Sequence, residues 1–134
     1  MQPRNRTLQA LLVIAVIITG LIWRSGWLPL PHVLFKYGGD AMWAMVVFLG
    51  LGWLFRNARV VPLALAALAI SWAVEFFQMV RAPWIDAIRS TVPGRLVLGT
   101  TFNAPDFAAY ALGILIIAMA EHTWRSRGKP QASA

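Results

Sequence analysis

Four long apolar blocks separated by polar junctions constrain this chain more than any single residue does. They run from Leu8 to Trp23, from about Asp40 to Phe55, from Val60 to Val80, and from about Ala104 to Ala120. In 134 residues, blocks of that length cannot all be hidden in a water-soluble core, because so small a core needs a mostly polar exterior. Each block approaches the roughly 20 residues that a helix needs to cross a bilayer, the second being on the short side. With 59% hydrophobic and 13% charged residues, the composition is that of a chain dissolved in lipid. The expected fold is an all-α membrane protein: one domain over 1–134, built as a bundle of four transmembrane helices. The first block could pass for a secretory signal, but Trp23-Arg24-Ser25-Gly26-Trp27 offers no small-x-small cleavage site, so it is read as a retained helix.

The chain has no cysteine, which excludes disulfides and thiolate metal sites, and its two histidines exclude a His-rich metal site. No metal or cofactor is expected. The net charge of +7 does not point to nucleic acid, because the basic residues sit at the ends of the apolar blocks rather than along one stripe. Their distribution sets an orientation instead. Arg4, Arg6, Arg56, Arg59, Arg125, Arg127 and Lys129 share one side, against Arg24, Lys36, Arg81, Arg89 and Arg95 on the other, where Asp40, Asp86 and Asp106 dilute them. Lys and Arg accumulate in the cytoplasm, so a bacterial inner-membrane protein with both termini cytoplasmic is expected. Ser126 to Ala134 reads as a disordered basic tail, and Glu121 and His122 carry no usable pattern.

In lipid, small residues mark helix contacts, since close backbone approach replaces the hydrophobic effect. On the third helix Ala66, Ala69 and Ala73 fall on one face, while Ala64, Leu68, Ser71, Glu75 and Gln78 fall on the other. Two differentiated faces predict neighbours on both sides and a central position for this helix. Such seams also suit a homodimer.

Glu75 is the most informative residue, because an ionisable group inside a span costs a few kcal/mol and marks a functional site or a buried polar pairing. Gln78 shares its face. The topology brings further polar groups to the same membrane end. Lys36-Tyr37-Gly38-Gly39-Asp40 is expected to open the second helix with Asp40 as N-cap, and Asn103-Ala104-Pro105-Asp106 to open the fourth as a capping box. Lys36, Arg81, Arg89 and Arg95 beside these carboxylates would form a charged basin, into which Tyr110, on the face of Asp106, Gly113 and Ile117, is aimed. His32, between two prolines, reads as a solvated loop residue. Residues 81–103 form an outer loop too long for a plain turn. Its Trp84, Ile85 and Ile88 predict a short interfacial helix anchored by Trp84, and after a Pro93-Gly94 turn the segment is expected to fold back as a lid.

Glu75-x-x-Gln78, Trp84-x-Asp86-x-x-Arg89, Leu98-Gly99-x-x-Phe102-x-x-x-Asp106-x-x-x-Tyr110-x-x-Gly113 and Lys36-Tyr37-x-Gly39-Asp40-x-x-Trp43 together resemble the bacterial DUF2809 family of unknown function. The resemblance covers Lys36 to Gly113 and implies the fold and topology but no activity. More distantly, the Glu-x-x-Gln motif and the Asp-x-x-x-Tyr-x-x-Gly helix start are similar to VanZ-like proteins, with Tyr110 where that pattern usually has Asn.

Four functions compete. In the first, Lys36, Asp40, Glu75, Gln78, Arg89, Asp106 and Tyr110 bind a lipid-linked or envelope headgroup, so the partner is a membrane lipid. In the second, the chain is an accessory subunit with a membrane-protein partner. The third is a lipid-modifying enzyme using Glu75 and Asp106, unaccompanied by a nucleophile elbow or a phosphate-cradling loop. The fourth is a transporter coupled through Glu75, with no visible repeat of broken helices.

Overall fold

The structure, a computed structural model, describes residues 3–127, and Lys129 with the rest of the expected tail from 128 onward lies outside the described residues. Regular structure among them is entirely helical: α1 (Arg6–Arg24), α2 (His32–Leu54), α3 (Val60–Phe77), α4 (Pro83–Ser90), α5 (Val92–Leu98) and α6 (Asp106–Arg127). Four of these, α1, α2, α3 and α6, are long and apolar enough to cross a membrane. The Asn5 side chain caps α1 by accepting from the Leu8 amide at 3.2 Å.

The second span begins at His32, well before Asp40. Pro29 is the centre of a tight turn in which the Leu30 N–H donates to the Leu28 carbonyl at 2.8 Å, and Pro31, at φ −54° and ψ 143°, takes the N-cap position, so His32 is the first helical residue rather than part of a loop. Asp40 therefore lies inside the helix and caps nothing. The two glycines before it do not start a helix; they make room for α1. A Cβ at Gly38 would lie 2.7 Å from the Trp23 ring, and one at Gly39 would run into the Arg24 guanidinium. Each glycine costs about 1 kcal/mol of helix propensity relative to alanine. The notch they form lets Trp23 donate to the Leu34 carbonyl at 2.9 Å.

The central helix is α2, not α3: α2 packs against α1, α6 and α3, whereas α3 touches α2, α6 and the short α5. One stripe of α3 is buried, Val60, Leu63, Ala67, Ser71 and Glu75, continued by Gln78 just past the helix. The alanine face of Ala66, Ala69 and Ala73 is exposed in the single chain, so the expected pair of packed faces is reduced to one. The core consists of Ala44, Phe48 and Leu49 from α2, Val60, Leu63 and Ala67 from α3, and Tyr110, Ile114 and Ala118 from α6. Close packing of α6 on α2 depends on Gly113, where a Cβ would collide with the Ala41 backbone.

At the end of the bundle that holds the N-terminal segment, Arg4 is buried and fastens three segments. Its Nε donates to Glu121 Oε1 at 2.7 Å, and its Nη1 to the carbonyls of Ala58 at 2.6 Å and Phe55 at 3.3 Å. Burial pulls the Arg4 pKa down and the Glu121 charge pulls it back up. Glu121 thus has a defined partner, and α6 continues through Ser126 to Arg127 instead of fraying beyond Ala120. The N-terminal segment, the α2–α3 turn and the end of α6 form one end of the bundle.

The connection from α3 to α6 holds a short helix where one is expected, α4, which buries Ile85 and Arg89 and leaves Trp84 and Ile88 exposed. Pro93 and Gly94 do not form a separate turn. They fall in the first turn of α5, whose N-cap Thr91 accepts from the Gly94 amide at 3.1 Å. Gly99 ends α5 at φ 66° and ψ −178°, a conformation that only glycine adopts readily.

Candidate functional site

At the opposite, loop end, a continuous polar network crosses the bundle from α1 to α3. Arg24 Nη2 donates to Asp40 Oδ1 at 2.5 Å. Lys36, one turn before Asp40 on α2, lies 3.6 Å from Asp40 Oδ2 and donates to Asp106 at the start of α6. The Asn103 side chain donates to the same Asp106 oxygen, while the Asn103 backbone N–H donates to Glu75 Oε1 at 2.6 Å. Glu75 Oε2 accepts from the Tyr110 hydroxyl at 2.9 Å and from Gln78 Nε2 at 3.0 Å. Asn103 is therefore a bridge between two carboxylates, not the accepting half of a capping box.

Local sequence explains each placement. Lys36 and Asp40 share a face of α2 by their i, i+4 spacing, as do Asp106 and Tyr110 on α6. Glu75 and Gln78 sit at the last turn of α3 and its C-cap, where the chain leaves the helix. The loop before α6 is seated by aromatic packing: Phe102 stacks on Phe76 with centroids 6.2 Å apart, and Phe107 meets Phe76 at 5.2 Å.

Glu75 is fully buried and has no cationic partner among the described residues; its two oxygens accept three hydrogen bonds from neutral donors. Three donors can hold a carboxylate in a dry site, because hydrogen bonds to a charged group are about twice as strong as neutral ones. Removing the acceptor would leave two buried donors, on Tyr110 and Gln78, and the half-buried Asn103 amide unmatched.

Beside the network lies a cavity of about 690 Å³. One wall is polar, with Lys36 and Asp40 of α2, Asp106 and Tyr110 of α6, and Arg24 of α1. The facing wall is the loop, with Arg95, Leu96 and Val97 of α5 followed by Gly99, Thr100 and Thr101. Phe35, Trp43 and Val74 supply an apolar part of the lining. Gln78 joins wall to loop, since a Cβ at Gly99 would lie 2.5 Å from Gln78 Nε2.

Of the seven residues expected to form the basin, Lys36, Asp40, Gln78, Asp106 and Tyr110 line the cavity. Glu75 lies behind that wall and supports it. Arg89 is placed elsewhere: it is buried under α4, where it donates to the Phe77 and Val80 carbonyls at 2.8 Å each and so closes the C-terminal end of α3. Its spacing from Asp86 and Trp84 reveals the helix but not which side of it faces the cavity. Arg24 is the functional candidate that charge counting treats only as a flank of the first span. The adjacent Gly38-Gly39 pair is the sequence signal that another helix approaches α2 at that point. Among the described residues no group of three or more His, Asp or Glu side chains could hold a metal ion.

The model of a family described as protein of unknown function (DUF2809) matches residues 30–114. The match takes in α2 through the first turns of α6, and so every member of the polar network except Arg24. No solved structure matches the chain.

Proposed function

The chain belongs to the DUF2809 family, and on that premise we propose that it is a bacterial inner-membrane protein that binds a lipid-linked or envelope headgroup at its loop end. Both termini then lie in the cytoplasm, and the cavity faces outward. The observation that carries this reading is the cavity itself, a space of about 690 Å³ between a charged wall and a partly apolar loop. Ligand sites commonly enclose roughly 300–1,000 Å³, mostly apolar with a few convergent polar groups. The basic α2–α3 turn and the basic end of α6 support the orientation.

An enzyme built on Glu75 and Asp106 fits less well. Glu75 has no exposed surface, and both of its oxygens are already engaged. Asp106 is held by Lys36 and Asn103. A subunit or homodimer role draws on one separate observation, the exposed Ala66, Ala69 and Ala73 face of α3. It competes for the rest of the surface, not for the cavity.

Native mass spectrometry after gentle detergent extraction tests the reading, comparing wild type with Thr101→Trp, which places a large ring in the cavity. Wild type is expected to retain a lipid or headgroup that the filled variant lacks. A protein subunit retained in fixed ratio by both, with no lipid difference, would assign the chain to a larger complex instead.

A further inference from the structure

The charges around the cavity do not cancel. Arg24 is engaged by Asp40, and Lys36 by Asp106 and Asp40. The third lining cation, Arg95, stands on the facing wall, exposed, with no ion pair or side-chain hydrogen bond among the described residues. Three cations against two carboxylates leave the lining with one positive charge in excess. Glu75 does not balance it across the cavity, because it lies behind the wall with its oxygens turned to Asn103, Tyr110 and Gln78.

The position of Arg95 is constrained by the loop that carries it. Its backbone N–H donates to Thr91, the α5 N-cap, at 3.0 Å, and its carbonyl accepts from Gly99 at 3.0 Å. Gly99 in turn abuts Gln78, which Glu75 holds. The guanidinium is therefore presented from a supported turn rather than a free arm. A planar guanidinium pairs with a phosphate through two parallel hydrogen bonds, which an ammonium cannot match. Around it, Val92, Leu96 and Val97 of α5 are exposed, and so are Val33 and Leu34 in the first turn of α2, beside the lining residues His32 and Phe35. Apolar side chains next to an anion site suit acyl chains, for which a free ion has no use.

Resting on the headgroup reading, we infer that the ligand carries a phosphate group with no ammonium of its own to neutralise it, seated on Arg95 opposite the Lys36–Asp106 and Arg24–Asp40 pairs. The phosphate is the shared chemistry, and its source is either an anionic phospholipid or free phosphate.

The test uses the full chain in nanodiscs of phosphatidylcholine containing phosphatidylglycerol, with bound lipid read by native mass spectrometry. Wild type is expected to select phosphatidylglycerol. Arg95→Gln should lower that selection about tenfold, the scale of one lost charge-assisted hydrogen bond. Arg95→Lys should fall between them, and Arg56→Gln, which removes an exposed cation at the other end, should match wild type. In a second arm, protein in pure phosphatidylcholine is titrated with inorganic phosphate. Saturable binding lost in Arg95→Gln, without lipid selection, would keep the phosphate site and make its ligand soluble. Phosphatidylglycerol selected equally by wild type and Arg95→Gln, with no phosphate binding, would overturn the phosphate assignment while leaving the headgroup reading intact; lipid held without headgroup preference and with no phosphate binding would overturn both. If neither lipid nor phosphate is retained by wild type, both fall.

Discussion

Glu75 shows how one side chain can be costly in lipid and still structural. Each of its three donors is buried or nearly so, and none is a cation. An unmatched buried polar group costs about 1–3 kcal/mol. Glu75→Leu, which strands the Asn103 amide, the Tyr110 hydroxyl and Gln78 Nε2 together, should therefore be far more damaging than Glu75→Gln. The glutamine keeps one acceptor, and the Tyr110 hydroxyl can rotate to accept from its amide. Unfolding in mixed micelles is expected to rank wild type above Glu75→Gln, and Glu75→Gln well above Glu75→Leu; equal loss in both variants would mean that charge, not hydrogen bonding, holds this end.

At the scale of elements, the bundle is pinned at both ends and thinned in the middle by glycine. Arg4 ties the N-terminal segment to the α2–α3 turn and to Glu121 of α6. Breaking a buried ion pair by removing one partner costs about 3–5 kcal/mol. Arg4→Met should approach that loss, and a double-mutant cycle with Glu121→Gln should return a coupling above about 1 kcal/mol; additive effects would show that Arg4 acts only through the Phe55 and Ala58 carbonyls. Gly113→Val forces α6 away from the Ala41 backbone, and since the collision is with backbone rather than a movable side chain, at least the 1–3 kcal/mol typical of overpacking is expected in the same assay. The four spans are legible in the sequence because hydrophobic length is a property of a single segment. The start of α2 is not, since Gly38-Gly39-Asp40 carries every local mark of a helix N-terminus, and only the arrival of Trp23 and Arg24 from α1 explains the glycines. Glu75, Gln78, Asp106 and Tyr110 are legible as a group because topology alone brings their ends together. The direction of Arg89 and the outward turn of the alanine face depend on which helix is the neighbour, which periodicity does not encode.

For the molecule as a whole, the two ends differ in kind. One is a structural knot of Arg4, Glu121 and the α2–α3 turn; the other holds the cavity, two short helices and the larger share of the loops. Exposed tryptophans occur at both, Trp27 and Trp84 by the loops and Trp53 and Trp124 near the opposite end, as expected where indole rings meet the headgroup layers. An envelope headgroup requires the loop end to face outward, and the charge count that supports this is a margin of seven basic residues to five. That margin is small enough to need its own experiment. The chain has no cysteine, so single cysteines can be placed without removing any. Thr100→Cys sits in the exposed loop at the cavity, and Asn57→Cys in the exposed turn between α2 and α3. In intact spheroplasts a membrane-impermeant maleimide should label Thr100→Cys at once and Asn57→Cys only after permeabilisation. The reverse pattern would turn the cavity to the cytoplasm, where a lipid-linked precursor on the inner leaflet could still reach it but an envelope headgroup could not. Protection of Thr100→Cys that is relieved by Arg95→Gln, at constant orientation, would add that a bound ligand shields the loop.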